Sequence, residues 1–250
     1  MHSPTMRVIS IINLIASHNS ELTLSGISKA LSIPSSTIYP ILKTLVETSF
    51  LDMNQENKTY SIGLRCFLSG MPFIGSNNSF SSISAILNEL TEATGETTHF
   101  SKLDGGEVLY LLKVESPQPI RMYSALGKTL PAYGTALGKA LLSDFSLEQL
   151  HSIYPDGLRA LTENTITDFD VLKTQLDDVR ATGFAYECEE SNIGVRCIAR
   201  PIHKNGKVAA AISVGIPVFR YTEEKRKEIE SLLLEASERV EEIVPYLDYV

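Results

Sequence analysis

Hydrophobic residues recur at helical spacing in three short segments near the start of the chain. The first covers residues 8–15 and follows Thr5, a residue type that caps helix N-termini. The second covers residues 24–31, and the third begins near residues 35–37 and carries Ile38, Leu42 and Leu45 on one side. The pattern predicts three consecutive helices, with residues 32–34 as the turn between the last two.

Two short apolar stretches, residues 50–53 and 58–62, flank a polar loop at residues 54–57. This arrangement predicts a small β-hairpin directly after the third helix. Three helices followed by a hairpin are typical of a winged helix-turn-helix, in which the third helix enters the major groove of DNA. We therefore predict a DNA-binding domain over residues 1–69.

A segment rich in Gly, Ser and Asn, residues 70–82, follows and is predicted to be a linker. Beyond it, helical and strand patterns alternate. The predicted helices cover residues 83–94, 135–142, 168–182 and 222–245, and another starts at Ser146. The predicted strands cover residues 97–103, 107–115, 120–124, 184–189, 196–203 and 207–216. We predict an α+β domain over residues 83–250, with helices packed on an antiparallel sheet.

The composition limits the classes of protein to which the chain can belong. The apolar fraction of 43% is ample for a packed core, and no apolar run approaches the roughly 18 residues of a membrane helix. The N-terminus shows no basic region followed by a long apolar run, so no signal peptide is predicted. The three cysteines, Cys66, Cys188 and Cys197, form no CxxC pair and are expected to be reduced. We expect a cytoplasmic protein without a membrane partner.

The charge is distributed unevenly along the chain. The net charge of -8 argues against a general nucleic-acid binder. Residues 1–70, however, hold five Lys or Arg residues and four acids, so their net charge is +1 and the rest of the chain carries -9. A nearly neutral N-terminal domain still binds DNA if it presents its few cations on one face.

Three hydroxyl residues, Ser35, Ser36 and Thr37, open the third helix. Such residues cap helices, and they also bond phosphates and base edges; both roles stay open from the sequence. Pro40 follows closely. If Ser36 is the N-cap, the proline removes at most one helical hydrogen bond, because a helix leaves its first four N–H groups unpaired. The alternative is a helix that starts after Tyr39, which is too short to read a groove well.

Several segments together resemble the IclR family of bacterial transcriptional regulators along nearly the whole chain. Each segment is modest alone, but their order and spacing are specific. They are residues 24–51, residues 58–63 (KTYSIG), residues 127–131 with 135–142 (GKTLP and TALGKALL), residues 189–190 with 194–199 (EE and GVRCIA), and residues 210–214 (AAISV).

The resemblance implies an N-terminal winged helix joined to a C-terminal effector domain of GAF-like fold. It also implies a homodimer or homotetramer that binds double-stranded operator DNA and responds to a small organic acid. The residues expected near the DNA are Ser35, Ser36, Thr37, Tyr39, Lys43, Lys29, Arg7 and Lys58. Pro40 departs from the family, which usually has a basic residue there, and the Tyr-Pro pair is more similar to the recognition helix of PadR regulators. Arg200 stands where the family more often has a small residue, and we expect it to point outward.

The resemblance also implies where the effector binds. The expected effector-binding residues are Met122, Leu130, Ala136, Leu137, Glu187, Cys197, Ser213 and Gly215. Backbone N–H groups at the start of the helix that follows Thr135, together with the Ser213 hydroxyl, suit a ligand carboxylate, and Glu187 suits ligand hydroxyls. The apolar members of the set form walls, although ordinary core packing explains them equally well. For Cys197 the alternative is a small buried hydrophobe.

Enzyme chemistry is the rival interpretation. Gly134, Gly138 and Lys139 suggest a phosphate loop, but the spacing is one residue short and Ala140 stands where magnesium needs Ser or Thr. The cysteines at 188 and 197 with histidines at 99 and 203 match no standard zinc spacing. The acidic residues at 187, 189 and 190 suggest acid chemistry, but a solvated strand edge is the simpler interpretation. We predict no catalytic residue, no metal ligand and no cofactor.

Together with the winged-helix pattern, the resemblance therefore implies a dimeric or tetrameric transcription factor of carbon-source catabolic genes. A small carboxylate, with a sugar acid as the first candidate, binds the C-terminal domain. It changes the spacing of operator half-sites that the two DNA-binding domains of a dimer span. Two alternatives remain: a ligand sensor that has lost specific DNA binding, or an enzyme acting on a small carboxylate. The sequence does not distinguish a repressor from an activator.

Overall fold

The computed structural model describes residues 2–18, 22–75, 78–119 and 129–247. The chain divides into two compact units, with the division between Asn77 and Asn78. Each unit has its own apolar core. None of the helices in the described part of the chain combines the length and apolarity that a bilayer span requires.

The first unit is a winged helix, as the sequence predicts. Its helices are α1 (Ser3–Ser17), α2 (Leu24–Leu31), α3 (Ser35–Glu47) and α4 (Leu64–Gly75). Its strands are β1 (Leu22–Thr23), β2 (Leu51–Met53) and β3 (Thr59–Ile62), which form an antiparallel sheet in the order β1-β3-β2. The two-residue β1 shows no alternation from which the sequence could predict it.

The core of the first unit joins the three helices to the hairpin. The buried members are Ile11, Ile15, Ile27, Ile38, Leu42, Leu45, Leu51 and Tyr60. Those on α1 and α3 stand at the helical spacings that predict these two helices.

The start of α1 differs from the prediction. Thr5 lies inside the helix, whose N-cap is His2, and its Oγ1 lies 2.8 Å from His2 Nδ1. Pro4 near the first position suits this earlier start, because the amide that proline lacks has no partner there.

The linker predicted over residues 70–82 stays a prediction; the division between the two units falls inside it, and both of its ends are helical. Helix α4 runs to Gly75, and α5 (Asn78–Thr94) begins after only two further residues. Leu64, Phe67 and Leu68 stand at helical spacing ahead of the glycine-rich stretch, so the helix continues through residues that on their own favour a turn.

The second unit contains a six-stranded sheet with helices on both faces. The strands are β4 (Thr97–Asp104), β5 (Glu107–Val114), β6 (Thr129–Pro131), β7 (Ala185–Cys188), β8 (Val195–Lys204) and β9 (Lys207–Pro217). All neighbours pair antiparallel, in the order β6-β5-β4-β9-β8-β7. The remaining helices are α6 (Ala136–Leu142), α7 (Leu147–Ile153), α8 (Phe169–Thr182) and α9 (Glu223–Ile243). The α+β prediction is confirmed, whereas the strand predicted at residues 120–124 lies outside the described residues.

Two apolar clusters cover the two faces of this sheet. One contains α6, α7 and α8, and the other contains α5 and α9. Successive residues of a strand therefore belong to different layers: Ala211 lies in the first cluster, and Ile212 lies in the second.

Capping residues set several helix ends in the second unit, and the one at Ser146 is predicted from the sequence. Ser146 and Gln149 form a capping box at α7, and Asp168 accepts two backbone N–H bonds at the start of α8. Gly183, with φ of 78°, ends α8 in the left-handed conformation that glycine adopts readily.

Candidate functional site

A small closed cavity lies in the second unit, on the sheet face that α6 covers. Its lining comes from five strands, the start of α6 and the turn after β7: His99, Tyr110, Thr135, Ala136, Leu137, Glu187, Ser191, Cys197 and Ser213. The space open to the centre of a water molecule is about 10 Å³, which is about enough for one water. A larger ligand requires the lining side chains to move apart.

The start of α6 is fixed by its own sequence. The Thr135 hydroxyl caps the helix by accepting the Gly138 N–H at 2.9 Å. Gly138 lies against the preceding turn so closely that a Cβ there would meet the Ala132 carbonyl oxygen at 1.9 Å. Only glycine permits this approach, which places Ala136 and Leu137 at the cavity.

Glu187 is the acidic side chain of the cavity and is held by the turn that follows β7. Its Oε1 accepts hydrogen bonds of 3.0 Å from the backbone N–H groups of Glu190 and Ser191 and from the Ser191 hydroxyl. Burial raises the pKa of Glu187, and hydrogen bonds from Ser191 and Cys197 oppose the shift. The expected solvated edge is wrong, because Glu187 and Glu190 are only 3% and 6% exposed.

His99 faces Ser213 across the pairing of β4 with β9. The Ser213 hydroxyl lies 3.5 Å from His99 Nδ1. The Tyr110 ring packs against the imidazole, and the two ring centroids are 5.1 Å apart. Burial, with a smaller contribution from the Lys113 charge, lowers the pKa of His99 to about 3. The imidazole is therefore neutral at physiological pH and has one donor and one acceptor nitrogen.

Five residues expected at the effector site meet at this cavity: Ala136, Leu137, Glu187, Cys197 and Ser213. Two others do not line it. Leu130 lies on β6 opposite Val108, and Gly215 lies on β9 between Thr97 and Cys197. Met122 lies outside the described residues.

The sequence interpretation missed His99, Tyr110 and Ser191. Neither His99 nor Tyr110 gives a local signal. His99 lies in a strand that is largely polar in sequence, and an aromatic residue in a strand is usually core.

The zinc alternative receives no support. Within the described ranges, no three His, Cys, Asp or Glu side chains lie close enough together to hold a metal ion. Cys188 pairs with Arg196 across the strands and is exposed, whereas Cys197 pairs with Glu187 and is buried. His203 contacts Glu241 at 2.9 Å.

The exposed side of α3 carries the candidate DNA contacts. Ser35, Tyr39 and Lys43 follow one another at intervals of four residues, with Ser36 beside them, and all four are exposed. Thr37 is half-buried, toward the side that carries Ile38. Lys43 lies 3.8 Å from Glu47 in an exposed pair that DNA phosphates can replace.

The hydroxyls at the start of α3 do not cap it. The N-cap is Pro34, which has no side-chain hydrogen bond, and its carbonyl accepts the N–H groups of Thr37 and Ile38. The suggested N-cap at Ser36 is therefore wrong. Among the described residues, neither Ser35 nor Ser36 makes a side-chain hydrogen bond, so both hydroxyls remain available to a partner.

Pro40 lies inside α3, one turn and a half from its start. Its missing N–H would have donated to the Ser36 carbonyl, so the helix loses one hydrogen bond near its first turn. The alternative start after Tyr39 is wrong, since α3 is regular from Ser35 to Glu47.

The other predicted cations are spread over the first unit. Lys29 is exposed in the last turn of α2, and Arg7 is half-buried on α1. Lys58 lies at the tip of the hairpin, where its Nζ donates to Gln55 Oε1 at 3.3 Å. Arg200, in the second unit, does not point freely outward, because it lies 4.6 Å over the Phe184 ring and donates to Ser237.

Comparison with known proteins gives matches over both units. The family described as bacterial transcriptional regulator IclR C-terminal matches residues 73–242, and the IclR helix-turn-helix domain matches residues 4–54. The HTH-type transcriptional regulator KdgR of Escherichia coli (strain K12) is 30% identical over 250 residues, which cover 99% of this chain and 94% of that protein.

Two solved structures show the same architecture. The Thermotoga maritima IclR structure has a TM-score of 0.73 at 29% identity and covers 98% of this chain and 100% of its own. An IclR homologue from Microbacterium hydrocarbonoxydans, complexed with 4-hydroxybenzoate, has a TM-score of 0.81 at 20% identity over 98% of this chain and 100% of its own.

Proposed function

Because the chain belongs to the IclR family of bacterial transcriptional regulators, we propose that it controls carbon-source catabolic genes in response to a small organic acid. The winged helix binds DNA, and its relatives are regulators, not enzymes. The acid, with a sugar acid as the first candidate, binds in the cavity at the start of α6. The observation that carries the proposal is the lining of this cavity, where neutral donors and one buried carboxyl group face each other.

The lining suits a ligand that carries both a carboxylate and a hydroxyl. The N–H groups of Ala136 and Leu137 belong to the first turn of α6 and have no acceptor within that helix. Together with the Ser213 hydroxyl they form donors for a carboxylate, while Glu187 accepts from a hydroxyl. The homologue complexed with 4-hydroxybenzoate, which is also a hydroxy acid, supports this ligand class.

The exposed side of α3 supports operator binding in the major groove. Ser35, Ser36 and Tyr39 are suited to base edges and phosphates, and Lys43 to phosphates. Lys29, Arg7 and Lys58 are the further candidate phosphate contacts. A straight helix of this length is about 20 Å long, which is ample for one groove.

A homodimer follows from the same proposal, since two heads read a palindromic operator. Leu64, Phe67 and Leu68 on α4 are 64%, 60% and 48% exposed, which is a high exposure for large apolar side chains on one helix. We assign this apolar stripe to contacts between copies of the chain. The acid then shifts the DNA-binding domains relative to each other within the dimer. This shift changes the half-site spacing that they span.

The test is mobility shift on DNA upstream of the gene, at two salt concentrations, with and without a panel of sugar acids and short keto acids. Specific binding that weakens with salt and changes with one acid supports the proposal. Absence of specific binding even at low salt supports a sensor that has lost its operator. Turnover of a bound acid supports the enzyme alternative.

Substitutions at Ser213 test the cavity itself. Ser213→Leu is expected to abolish the response to the acid and to leave operator binding intact, because the side chain fills the cavity. Ser213→Ala keeps the fold and is expected to lower the affinity for the acid by about tenfold, because one hydrogen bond contributes about this much. Loss of operator binding in Ser213→Leu would show that the residue serves the core and that the cavity is not the effector site.

A further inference from the structure

A second and larger concavity lies at the outer edge of the sheet, between β7 and α8. Its volume is about 390 Å³, within the range of roughly 300–1,000 Å³ that is usual for ligand pockets. It shares no lining residue with the cavity at the start of α6, which we call the effector cavity after its proposed ligand. We call it the β7 groove; the lining residues that matter here are Lys139, Gln175, Val179, Phe184, Cys188 and Glu190.

The β7 groove contains a buried ion pair. Lys139 Nζ donates to Glu190 Oε1 at 2.5 Å and to the Tyr186 carbonyl oxygen at 3.1 Å. The two side chains are only 1% and 7% exposed. Burying a charged pair is unfavourable unless its remaining hydrogen-bonding capacity is satisfied.

That capacity is not satisfied at Glu190. Its second oxygen, Oε2, is buried and has no hydrogen-bond partner among the described residues. Buried carboxylate oxygens are rarely left in this state, because each one forfeits its hydration without replacement. A hydrogen-bond donor from outside the chain can complete the site only if the side chains that cover Oε2 move apart.

The walls of the β7 groove are apolar. Val179 is buried on α8, and Phe184 precedes β7, with the Arg200 guanidinium over its ring. These side chains suit an aliphatic or aromatic group next to the donor that Glu190 requires.

The charges of the β7 groove select the kind of donor. The Lys139 charge is matched by Glu190, and Asp178 adds a further acid to the lining. Within the lining, a carboxylate faces two acids and one already paired cation, and the Arg200 guanidinium over the Phe184 ring is not itself a lining group, so anions are disfavoured. An alcohol or an ammonium group donates to Glu190 without that repulsion.

We propose that the β7 groove is a second ligand site, which binds a small amine or alcohol with an apolar body. The NH or OH group donates to Glu190 Oε2, and the body lies against Val179 and Phe184. The site differs from the effector cavity in place and in ligand charge.

Cys188 supplies a direct measurement, since its thiol is exposed and the residue lines the β7 groove. The rate of its alkylation by iodoacetamide is followed by peptide mass spectrometry in the full-length protein. Benzylamine, benzyl alcohol and benzoate serve as probes, because they share one ring and differ in the head group. Cys66 in the first unit is the internal reference.

Benzylamine or benzyl alcohol is expected to bind with a Kd on the order of 1 mM, as is usual for ligands of this size. At ten times its Kd, the bound probe is expected to slow alkylation of Cys188 by about tenfold and to leave Cys66 unchanged. Benzoate is expected to have no effect at Cys188. Equal protection by benzoate, or no protection by either donor, overturns the proposal.

Gln175→Trp fills the β7 groove from α8 and is expected to abolish protection. Val171→Trp, one turn earlier on the same helix at an exposed position outside the lining, is the matched control and is expected to retain it. Glu190→Gln keeps the shape of the side chain but removes its charge. It is therefore expected to weaken the binding of benzylamine more than the binding of benzyl alcohol. A second copy of the chain is the other candidate occupant of the β7 groove, and sedimentation of both tryptophan variants tests it. If only Gln175→Trp changes the oligomeric state, a second copy covers the groove and the proposal fails.

Discussion

At the scale of single residues, burial determines the protonation state of the effector cavity. It lowers the pKa of His99 to about 3 and raises the pKa values of Tyr110 and Cys197, so that all three are neutral at physiological pH. Glu187 is different, because burial moves the pKa of its carboxyl group upward toward that pH. It is the titratable group of the lining whose charge a ligand can change.

A carboxylate in the cavity is expected to bind more weakly as the pH rises. The bound anion favours protonated Glu187, so binding takes up a proton, and affinity falls as pH passes upward through the Glu187 pKa in the complex. The slope is at most about tenfold per pH unit. Titration calorimetry with the identified acid between pH 5 and 8 measures it, and Glu187→Gln should remove the slope. A slope that survives in the variant assigns the proton to another group.

His99 is expected to make the second unit acid-sensitive. Its folded pKa of about 3 lies below the unfolded value of 6.5, so the unfolded chain binds the proton first as the pH falls. Stability from this residue is present above pH 6.5 and is lost toward pH 3, by up to about 1.4 kcal/mol per pH unit.

Urea unfolding at several pH values, followed by circular dichroism, tests this expectation. His99→Asn should flatten the pH dependence, whereas His151→Asn, at an exposed histidine on α7, should leave it unchanged. Equal slopes in His99→Asn and the parent protein would contradict the assignment.

At the scale of elements, α3 combines the exposed side that we propose for DNA contact with a proline. Pro40 is tolerated because it removes a single bond, to the Ser36 carbonyl, near the end of the helix. Its position also lacks the cation that the family usually provides. The backbone effect and the charge effect are separable by substitution.

Pro40→Ala is expected to raise the free energy of unfolding of the first unit by about 1–3 kcal/mol, since it restores an amide and relieves the ring contact. Pro40→Arg is expected to gain similar stability and also to bind DNA more tightly, with a salt slope steeper by about one unit. Mobility shift over a salt series compares the two variants. Equal affinity for both would show that residue 40 does not approach a phosphate.

Elements with strong local signals were predictable from the sequence, and the cavity was not. Spacing and caps gave α2 over its full length and both ends of α8, because these features depend on neighbours along the chain. The strand β6 has only three residues, too few for a pattern. His99 and Ser213 meet only through the register of β4 with β9, which no local pattern specifies. The family resemblance supplied five of the lining residues, and the chemistry of the turn around Glu187 and Glu190 required the structure.

At the scale of the whole molecule, the apolar stripe on α4 bears on assembly. Phe67→Asp is expected to shift the protein toward monomer in sedimentation velocity, because a charge replaces a large apolar contact. Operator binding should weaken in parallel, since a monomer contacts one half-site. The matched control is Phe219→Asp in the second unit, where the ring is 67% exposed. A parent protein that is already monomeric, or a variant that remains dimeric, would move the contact elsewhere.

The alternation along β9 has a consequence for how this protein can change over evolutionary time. Ser213 faces the effector cavity, while its neighbours Ile212 and Val214 belong to the layer under α5 and α9. Under the proposed function, the sheet therefore separates the layer that binds the acid from the layer that packs against α5 and α9. Substitutions in the first layer are then expected to alter the preferred acid without disturbing the packing of the second. A lineage can thus acquire new chemical signals by point mutation and keep the same scaffold.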